Sequence, residues 1–491
     1  MVLDKNAFWF GNNYTQDCPY GPFSLECTND SPNEPANLIT RIFKDMTIDT
    51  SKIDRFLTVK YTTEADKTYE GCGQTWQTGP SRIIDVDPLS SDTIYHPLDT
   101  KLQPEMTWDR TPGELYTIII YDAGSHIAHA IHINYNETEV IKPYSGPLNP
   151  TSRANVYAFL LFKQKSFINL TEEWRAKLAN PMVSTSYNIS DAITELQLEG
   201  PIAVNVIRVT ADLYSVQTFI NRHILNNCAY FVSEALKSHN RSFIPYGVSL
   251  SVMMYIKFTS LPIQFDSCCK KYNFPQDDNV NLNPIGNGRL KTYQARTGSP
   301  VSVQLVKRTI YPMATNFNGA LHTLIAVDPD VPSSSAGTQD KPLLHWFVAN
   351  IPDGVVSNGT EIKSYIGPAP PDKNDHTYYF LLYEQKSQLS ENITEMYAGN
   401  DCSGSLSGRC LFDVSRMVSD NNLKLVGASW FKATNDEYVR HNHANRNRDN
   451  IATICKGVAG YTPNCVVGHG ERIVLSFSVL VLSIFSKLFI V

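Results

Sequence analysis

The sequence predicts a mainly β protein that contains two tandem β-sandwich domains and a few peripheral helices. Short apolar segments rich in Val, Ile, Thr and aromatic residues recur along the chain, and turns rich in Gly and Pro separate them. Two stretches of the chain repeat one another. The length of 491 residues and the hydrophobic content of 42% are sufficient for two cores of ordinary domain size.

The clearest sign of duplication is a segment that occurs twice. PYSGPLNPTSRANVYAFLLFKQK, residues 143–165, aligns without a gap with SYIGPAPPDKNDHTYYFLLYEQK, residues 364–386. Ten of the aligned positions are identical. In the first copy they are Tyr144, Gly146, Pro147, Pro150, Tyr157, Phe159, Leu160, Leu161, Gln164 and Lys165. The match is well beyond chance and indicates a duplicated domain.

Both copies carry the same pair of strands upstream of this segment. LYTIIIYD ends in Asp122 and LHTLIAVD ends in Asp328. Each is followed by a second strand with a histidine, HAIHINYN with His129 and HWFVANIP with His345. Each of these histidines lies five residues before an Asn, so the two strands align.

Composition shifts along the chain predict its domain boundaries. Helices are expected at 37–46 and 171–180. The predicted organisation is an N-terminal segment at 1–35, a first domain at 36–265 with an insertion around 166–225, a linker at 266–288, a second domain at 289–435, a polar stalk at 436–472 and a hydrophobic C-terminal segment at 473–491.

The C-terminal segment predicts membrane attachment. IVLSFSVLVLSIFSKLFIV is almost wholly apolar and follows small and polar residues, which is typical of a signal for a GPI anchor or of a single-pass helix. Either form places the protein at the extracellular face of the plasma membrane. The start of the sequence does not resemble a signal peptide, so a cytosolic protein with a tail anchor is the alternative.

The cysteines and the glycosylation sequons also favour an extracellular location. Three cysteine pairs, Cys18/Cys27, Cys402/Cys410 and Cys455/Cys465, have spacings that suit small disulfide-closed loops, with scattered buried thiols as the alternative. Asn169 and Asn392 begin sequons in equivalent loops of the two copies. Further sequons begin at Asn136, Asn188, Asn240 and Asn358.

The second copy brings together residues that suit an anion pocket. The prolines of VDPDVP hold two carboxylates at a strand end, a histidine lies in an apolar strand, and a Gly-Pro-rich loop precedes a second histidine and a tyrosine. Imidazole and phenol groups donate hydrogen bonds to phosphate or carboxylate, and a carboxylate orients an imidazole. The residues are Asp328, Asp330, His345, Trp346, Gly367, Pro368, His376 and Tyr378.

This ordered series, TLIAVDPDVP, LHWFVANIP, YIGPAPP and HTYYFLLYEQ, resembles the phosphatidylethanolamine-binding protein family, which includes Raf kinase inhibitor-like and plant flowering-time proteins. The resemblance covers roughly 300–435, and 39–61 is similar to the family's first helix and strand. It implies a Greek-key β-sandwich with an anion pocket at its edge. It also implies that Asp328, His345, Gly367, His376 and Tyr378 line the pocket, with Trp346 packed nearby.

The first copy departs from this pattern and is predicted to be a degenerate site. Its equivalent residues are Asp122, His129, Gly146, Asn155 and Tyr157, so an asparagine replaces one imidazole, and YDAGSHIA lacks the rigid prolines. A zinc site at His126, His129 and His132 is disfavoured, because residues three apart on a strand do not share one face. No metal or cofactor is expected.

The sequence leaves three classes of function to compare. The net charge of −6 gives no general attraction to nucleic acid. An enzyme is disfavoured because no recognised catalytic motif occurs and no nucleophile accompanies the histidines. The first hypothesis is binding of a phospholipid headgroup or another phosphate-like anion. The alternative is a protein-interaction module, such as a serine-protease inhibitor or a signalling regulator.

Overall fold

The computed structural model describes residues 48–88, 93–123, 127–135, 139–149, 154–179, 189–285, 288–310, 317, 319–331, 336–399, 403–446 and 451–462. The chain divides into two compact units, Met1–Leu225 and Asn226–Val491. Strands predominate over helices in the described residues, which confirms the predicted mainly β class.

The first unit contains eleven of the described strands and three of the described helices. The strands are β1 Arg55–Phe56, β2 Thr58–Thr62, β3 Thr68–Gly71, β4 Gln74–Gln77, β5 Ile83–Asp85, β6 Glu105–Thr107, β7 Tyr116–Asp122, β8 Ile127–Ile133, β9 Glu139–Lys142, β10 Asn155–Gln164 and β11 Leu198–Val209. The helices are α1 Glu172–Ala179, α2 Ile189–Glu195 and α3 Leu213–Asn221. A short strand β12, Leu225–Asn226, lies at the division between the units.

A six-stranded sheet forms the centre of the first unit. Its strand order is β1-β11-β10-β7-β8-β9, and a three-stranded sheet β5-β2-β6 forms a second layer. Alternate side chains of the central strands enter different cores. Ile118 and Phe159 pack with Val59 of the smaller sheet, whereas Ile119 and Leu160 pack with residues of α1 and α2 on the other face.

The second unit contains the remaining strands and helices. The strands are β13 Val252–Ser260, β14 Ile263–Ser267, β15 Lys270–Phe274, β16 Asp277–Asn281, β17 Val301–Lys307, β18 Thr309–Ile310, β19 Leu321–Asp328, β20 Leu343–Pro352, β21 Thr360–Lys363, β22 His376–Gln385 and β23 Lys424–Ala433. The helices are α4 Cys228–Leu236, α5 Ile393–Tyr397, α6 Val414–Asp420, α7 Glu437–Arg446 and α8 Ile451–Ile454.

The second unit repeats the topology of the first. Its central sheet has the order β21-β20-β19-β22-β23, which corresponds to β9-β8-β7-β10-β11, and its second layer β16-β13-β17 corresponds to β5-β2-β6. Phe258 of β13 packs between the layers against Phe380 and Phe431. The internal repeat in the sequence is therefore a repeat of the fold.

A buried polar network explains why Asn and Gln recur at the same places in both copies. Gln385 accepts hydrogen bonds from the Thr323 hydroxyl and from the backbone N–H of Asn350, at 2.6 and 2.9 Å, and donates to the Asn350 Oδ1 atom. Gln164 makes the same three contacts, with Thr117 and Asn134. Asn134 and Asn350 also accept the backbone N–H groups of Ile168 and Leu389, so each network joins the end of β8 or β20 to the segment after β10 or β22.

The boundary between the copies lies earlier than the sequence predicted. Residues 226–265, expected in the first domain, contain α4 and β13, and β13 pairs with β16 and β17 of the second unit. The predicted linker at 266–288 instead contains β15 and β16. Their turn-rich composition belongs to short hairpin connections, which polar composition alone does not distinguish from a linker.

The predicted insertion around 166–225 is also corrected by the structure. Strand β11 lies within it and corresponds to β23 of the second unit. The connection from β10 to β11 spans 165–197, and the connection from β22 to β23 spans 386–423, so the second unit has a segment of comparable length. Helix α1 confirms the helix expected at 171–180.

The beginning of the predicted polar stalk is folded. Residues 437–446 form α7, which buries Tyr438 against Phe265 of β14. The Nδ1–H of His441 donates to the carbonyl of Asp266 at 2.7 Å. The helix lacks an apolar stripe, so no periodic pattern predicted it; aromatic and polar contacts hold it instead.

A disulfide between Cys268 and Cys455 joins the β14–β15 turn to the end of α8. The prediction that Cys455 bonds Cys465 was therefore wrong: spacing suggested a local loop, whereas the fold brings together cysteines that are 187 positions apart. Cys410 is disulfide-bonded. Its predicted partner Cys402, and the predicted pair Cys18/Cys27, lie outside the described residues.

Several predictions fall outside the described part of the chain. They are the N-terminal segment at 1–35, the helix at 37–46, the part of the stalk at 463–472 and the hydrophobic segment at 473–491. Of the helices within the described residues, none has both the length and the apolar character needed to cross a membrane.

Candidate functional site

His345 occupies a β-bulge in the second unit. Strand β19 pairs Ala326 with Trp346 and then Val327 with Leu344, so His345 is the extra residue on β20. A bulge redirects a side chain that regular alternation would place elsewhere. The Nδ1–H of His345 donates to the carbonyl of Ile366 at 2.9 Å, and the backbone N–H of Ile366 donates back to the His345 carbonyl.

His376, the first residue of β22, is held by Asp328 at the end of the neighbouring strand β19. The His376 Nδ1–H donates to Asp328 Oδ2 at 2.9 Å, and both side chains are buried. The other oxygen of Asp328 accepts the backbone N–H of Asp330 at 2.8 Å. The carboxylate thus orients one imidazole and at the same time tightens the turn that begins at Asp328.

Tyr378 connects the two histidines. Its ring lies edge-on to the ring of His345, with centroids 5.1 Å apart, and nearly parallel to the ring of His376, at 6.5 Å. The opposite side of the tyrosine stacks on Phe431 at 5.1 Å. Asp328, His345, His376 and Tyr378 therefore form one cluster. They are four of the eight residues that the sequence pattern placed in the pocket.

The Nε2 atoms of both histidines are buried and have no hydrogen-bond partner among the described residues. Since the Nδ1 atoms donate to oxygen, a neutral ring at either position has an acceptor at Nε2, whereas an imidazolium has a donor there. Buried polar atoms are normally paired. Two unpaired Nε2 atoms in one cluster indicate a position for a polar ligand.

The two imidazoles favour different charge states. Burial lowers the pKa of His345 and outweighs the negative charge of Asp328 and the hydrogen bond to Ile366, which both raise it. Burial also opposes the charge on His376, but the hydrogen bond and the negative charge of Asp328 outweigh it and raise the pKa of His376 above its ordinary value. The cluster therefore combines a neutral acceptor with a group that is readily charged.

Four residues that the sequence pattern placed in the pocket have other positions or roles in the structure: Asp330, Trp346, Gly367 and Pro368. Both carboxylate oxygens of Asp330 are occupied, one by the Arg241 guanidinium at 2.6 Å and one by the Thr377 N–H at 2.9 Å. Trp346 lies in the sandwich core and lines a separate cavity of about 700 Å³. Its indole N–H donates to Glu361 at 2.9 Å.

Gly367 and Pro368 serve the packing of the loop. The N–H of Gly367 donates to the Thr297 hydroxyl at 2.8 Å, so it is not free for a ligand. A Cβ atom at Gly367 would lie 2.5 Å from the backbone nitrogen of Thr297 and 2.6 Å from Arg296 Cα, which explains the glycine by close backbone contact. Pro368 is buried.

Two charged residues near the cluster were missed by sequence reasoning. The buried guanidinium of Arg409 donates to the carbonyls of His345 and Ser364, at 3.2 and 2.9 Å, and so supports the bulge. Asp372 places a carboxylate oxygen 3.6 Å from the Nε2 atom of His376. Neither has a counterpart in the repeat, and only the fold brings Arg409 to the bulge.

The first unit repeats the scaffold of the site and lacks one imidazole. His129 is the bulge residue of β8, and its Nδ1–H donates to the Ser145 carbonyl at 2.6 Å. Its ring lies edge-on to Tyr157 at 5.0 Å. Asn155 contacts Asp122 at 3.4 Å, where the second unit has the pair of His376 and Asp328.

A Cβ atom at Gly146 would lie 3.0 Å from Lys101 Cα, so this glycine also packs against backbone. His126 lies outside the described residues, and the described residues contain no cluster of three metal-binding side chains. Among the sequon asparagines, Asn169, Asn240, Asn358 and Asn392 are exposed. Asn136 and Asn188 lie outside the described residues.

Comparison with known proteins identifies the second unit. Residues 314–425 match the family model described as phosphatidylethanolamine-binding protein. Protein MOTHER of FT and TFL1 homolog 2 of Oryza sativa subsp. japonica is 43% identical over 83 residues, which are 16% of this chain and 47% of that protein. Putative odorant-binding protein A5 of Drosophila melanogaster is 29% identical over 122 residues, 24% of this chain and 55% of that protein. The chain spans about half the length of these relatives.

Similar solved structures include a carboxypeptidase Y inhibitor complexed with its cognate proteinase, 19% identical, with a TM-score of 0.31, covering 43% of this chain and 98% of that chain. The phosphatidylethanolamine-binding protein from Plasmodium vivax is 19% identical, with a TM-score of 0.28, covering 42% and 97%. The family match at 314–425 contains the strands that hold Asp328, His345 and His376. Residues 314–425 of the second unit are therefore similar to the phosphatidylethanolamine-binding protein family.

Proposed function

We propose that the second unit binds a phosphate monoester of the phospholipid-headgroup type between His345 and His376, and that it releases this ligand unchanged. The observation that carries the proposal is the pair of buried Nε2 atoms without partners. A bound phosphoryl group would supply oxygen atoms to both, which removes the cost of leaving two buried polar atoms unpaired.

Each imidazole has a distinct role in this proposal. His376, whose pKa is raised, donates from Nε2 as an imidazolium to a phosphoryl oxygen. His345, whose pKa is lowered, stays neutral and accepts a hydrogen bond from a protonated phosphoryl oxygen. Arg409, buried beside the bulge, adds positive charge that favours an anion.

Asp372 favours a zwitterionic ligand over free phosphate. Its carboxylate lies 3.6 Å from His376 Nε2, where it repels a second negative charge and attracts an ammonium group. Phosphorylethanolamine carries an ammonium group two carbons from its phosphate. We therefore expect phosphorylethanolamine to bind more tightly than inorganic phosphate, by about tenfold, which corresponds to roughly 1.4 kcal/mol.

Binding without turnover follows from the composition of the site. Among the described residues, the cluster contains histidines, a tyrosine and a carboxylate that is engaged with His376, and no serine, cysteine or lysine belongs to it. The sequence relatives that carry functional names include a putative odorant-binding protein. A binding role agrees with the composition of the cluster and with the name of this relative.

The test is isothermal titration of the full chain at pH 6.5 with phosphorylethanolamine and with inorganic phosphate. His376→Ala and His345→Ala should each abolish saturable binding, while His443→Ala, on helix α7, should not change it. Asp372→Asn should bring the two affinities together. Undiminished binding in both pocket variants would refute the proposal. No binding of either ligand to the natural chain would favour a protein-interaction module.

We further propose that this site is displayed outside the cell on a membrane anchor. The disulfide between Cys268 and Cys455 and the exposure of four sequon asparagines support an oxidising secretory route. The hydrophobic segment at 473–491 supports anchoring. Phosphatidylinositol-specific phospholipase C should release a GPI-anchored protein from cells, whereas a single-pass protein would stay in the membrane, and a cytosolic protein would be inaccessible.

A further inference from the structure

A second cavity lies behind strand β22 and was not part of any sequence prediction. Its volume is about 550 Å³, within the usual range for small-molecule sites. Thr377 and Tyr379 of β22 line it, together with their cross-strand neighbours Lys432 and Trp430 of β23. His376 and Tyr378 alternate with these residues along β22 and face the first site, so the strand separates the two sites.

Trp430 lines this cavity and has an unpaired donor. Its side chain is 1% exposed, and its indole N–H has no hydrogen-bond acceptor among the described residues. Its ring contacts His239, with centroids 4.7 Å apart. An indole N–H can only donate, so a ligand that satisfies it must present an acceptor.

The charges around the cavity favour an anionic acceptor. Arg241 and Lys432 line it, and their positive charges lower the pKa of His239 after the larger effect of burial. Arg241 is already paired with Asp330 at 2.6 Å, whereas the structure places no carboxylate in ion-pair contact with Lys432 among the described residues. The ammonium of Lys432 is therefore available for an incoming anion.

Part of the remaining wall suits an apolar body attached to the anionic group, whereas Ser238, Asn240 and Gln339 make the rest of it polar. Ala235, Pro284 and Ile285 line the cavity beside the rings of His239 and Trp430. The Nδ1 atom of His239 is 2.6 Å from the Tyr379 hydroxyl, which fixes the orientation of the histidine ring. A flat ring system can pack on this surface while its charged group reaches Lys432 and Trp430.

We propose that this cavity is a second binding site, for a small aromatic organic anion whose charged group is held by Lys432 and the Trp430 indole N–H. The site is distinct from the phosphate site because it lies on the other face of β22. It requires no contribution from His345 or His376.

The proposal is tested with naphthalene-2-sulfonate as the anionic probe and 2-naphthalenemethanol as its uncharged analogue. Isothermal titration uses the natural full chain and the same chain carrying Asn240→Gln, because Asn240 lines the cavity and begins a sequon whose glycan would occupy part of it. The sulfonate should bind saturably and the alcohol at least tenfold more weakly. A saturating concentration of phosphorylethanolamine should not displace the sulfonate.

Two variants identify the residues involved. Lys432→Gln should weaken sulfonate binding by about tenfold or more, the usual effect of losing a hydrogen bond to a charged group. Trp430→Phe, which keeps a ring and removes the donor, should weaken it by several-fold. Lys424→Gln, an exposed lysine at the start of the same strand, is the matched control. Thermal unfolding verifies that each variant is folded.

Three results would overturn the proposal: no saturable binding of the sulfonate, equal binding in the Lys432→Gln variant, or displacement by phosphorylethanolamine. Displacement would mean that the probe occupies the first site. Failure of the first site to bind phosphorylethanolamine leaves the sulfonate titration unaffected, so the two proposals are refuted separately.

Discussion

Asp328 and Asp330 lie in one turn, and their carboxylates stabilise opposite faces of β22. Asp328 accepts the Nδ1–H of His376, which faces the first site. Asp330 accepts the backbone N–H of Thr377 and the guanidinium of Arg241, which lines the cavity behind the strand. The backbone N–H of Asp330 donates to Asp328, so the short acidic turn joins the scaffolds of both sites.

The charge state of His376 predicts how phosphate-ester binding depends on pH. The pKa of His376 is raised above its ordinary value of 6.5, so the imidazolium is present below that pH and is lost as the pH rises through the folded value. The phosphate monoester loses its last proton with a pKa of about 6, and the hydrogen bond that His345 accepts from that proton is lost with it, which also weakens binding as the pH rises. Affinity for phosphorylethanolamine should therefore fall as the pH rises above 6.5, by up to about tenfold per pH unit for loss of the imidazolium charge.

Titrations at half-unit pH intervals measure this change. The pKa of His345 is lowered, so the imidazole of this residue stays neutral and does not itself change charge over the range. An affinity that is constant or increases above pH 7 would show that a charged His376 is not required. The Asp328–His376 pair also contributes to folding stability. Like the ligand affinity, this contribution decreases as the pH rises through the folded pKa of His376.

Restoring the missing imidazole should give the first unit a binding site. Asn155 occupies the place of His376, and Asp122 and Tyr157 are paired across β7 and β10 beside it. Asn155→His should raise the stoichiometry of phosphorylethanolamine binding from one to two sites per chain, with the new site the weaker. The measurement is isothermal titration at pH 6.5. Asn155→Gln is the control, and a stoichiometry of one in Asn155→His would contradict the prediction.

The buried network around Gln385 should contribute strongly to stability. Gln385→Leu removes the partners of Thr323 and Asn350 and leaves their polar atoms buried, which should lower the free energy of unfolding by ~2–4 kcal/mol. Urea unfolding followed by circular dichroism measures the loss. Gln388→Leu changes an exposed glutamine three positions away and should have little effect. Equal midpoints for both variants would refute a stabilising role.

The disulfide between Cys268 and Cys455 should stabilise the second unit by linking distant parts of the chain. Their separation of 187 residues closes a long loop, which restricts the unfolded state. Replacing both cysteines by alanine should lower the free energy of unfolding by ~2–4 kcal/mol. Urea unfolding under oxidising conditions measures this change. Unchanged stability would mean that the contacts of α7 and β14 are sufficient to hold this region.

Local patterns in the sequence predicted much of the fold and part of the site. Short runs of β-branched and aromatic residues predicted the strands, and the repeated segment predicted the duplication, because both signals lie within short stretches. The same patterns did not locate the start of the second unit. Residues 226–288 carry weak, turn-rich signals, and only the pairing of β13 with β16 and β17 assigns them to the second sandwich.

The sequence by itself determined which chemical groups are available: a repeated Asp, His and Tyr scaffold, with a second imidazole in one copy only. The tertiary structure decided how those groups are used. Long-range strand pairing makes His345 a bulge residue and brings the buried Arg409 beside it. It also directs Asp330 to Arg241 and assembles the cavity around Trp430 and Lys432. These contacts join residues that are distant in the chain, so no local pattern specifies them.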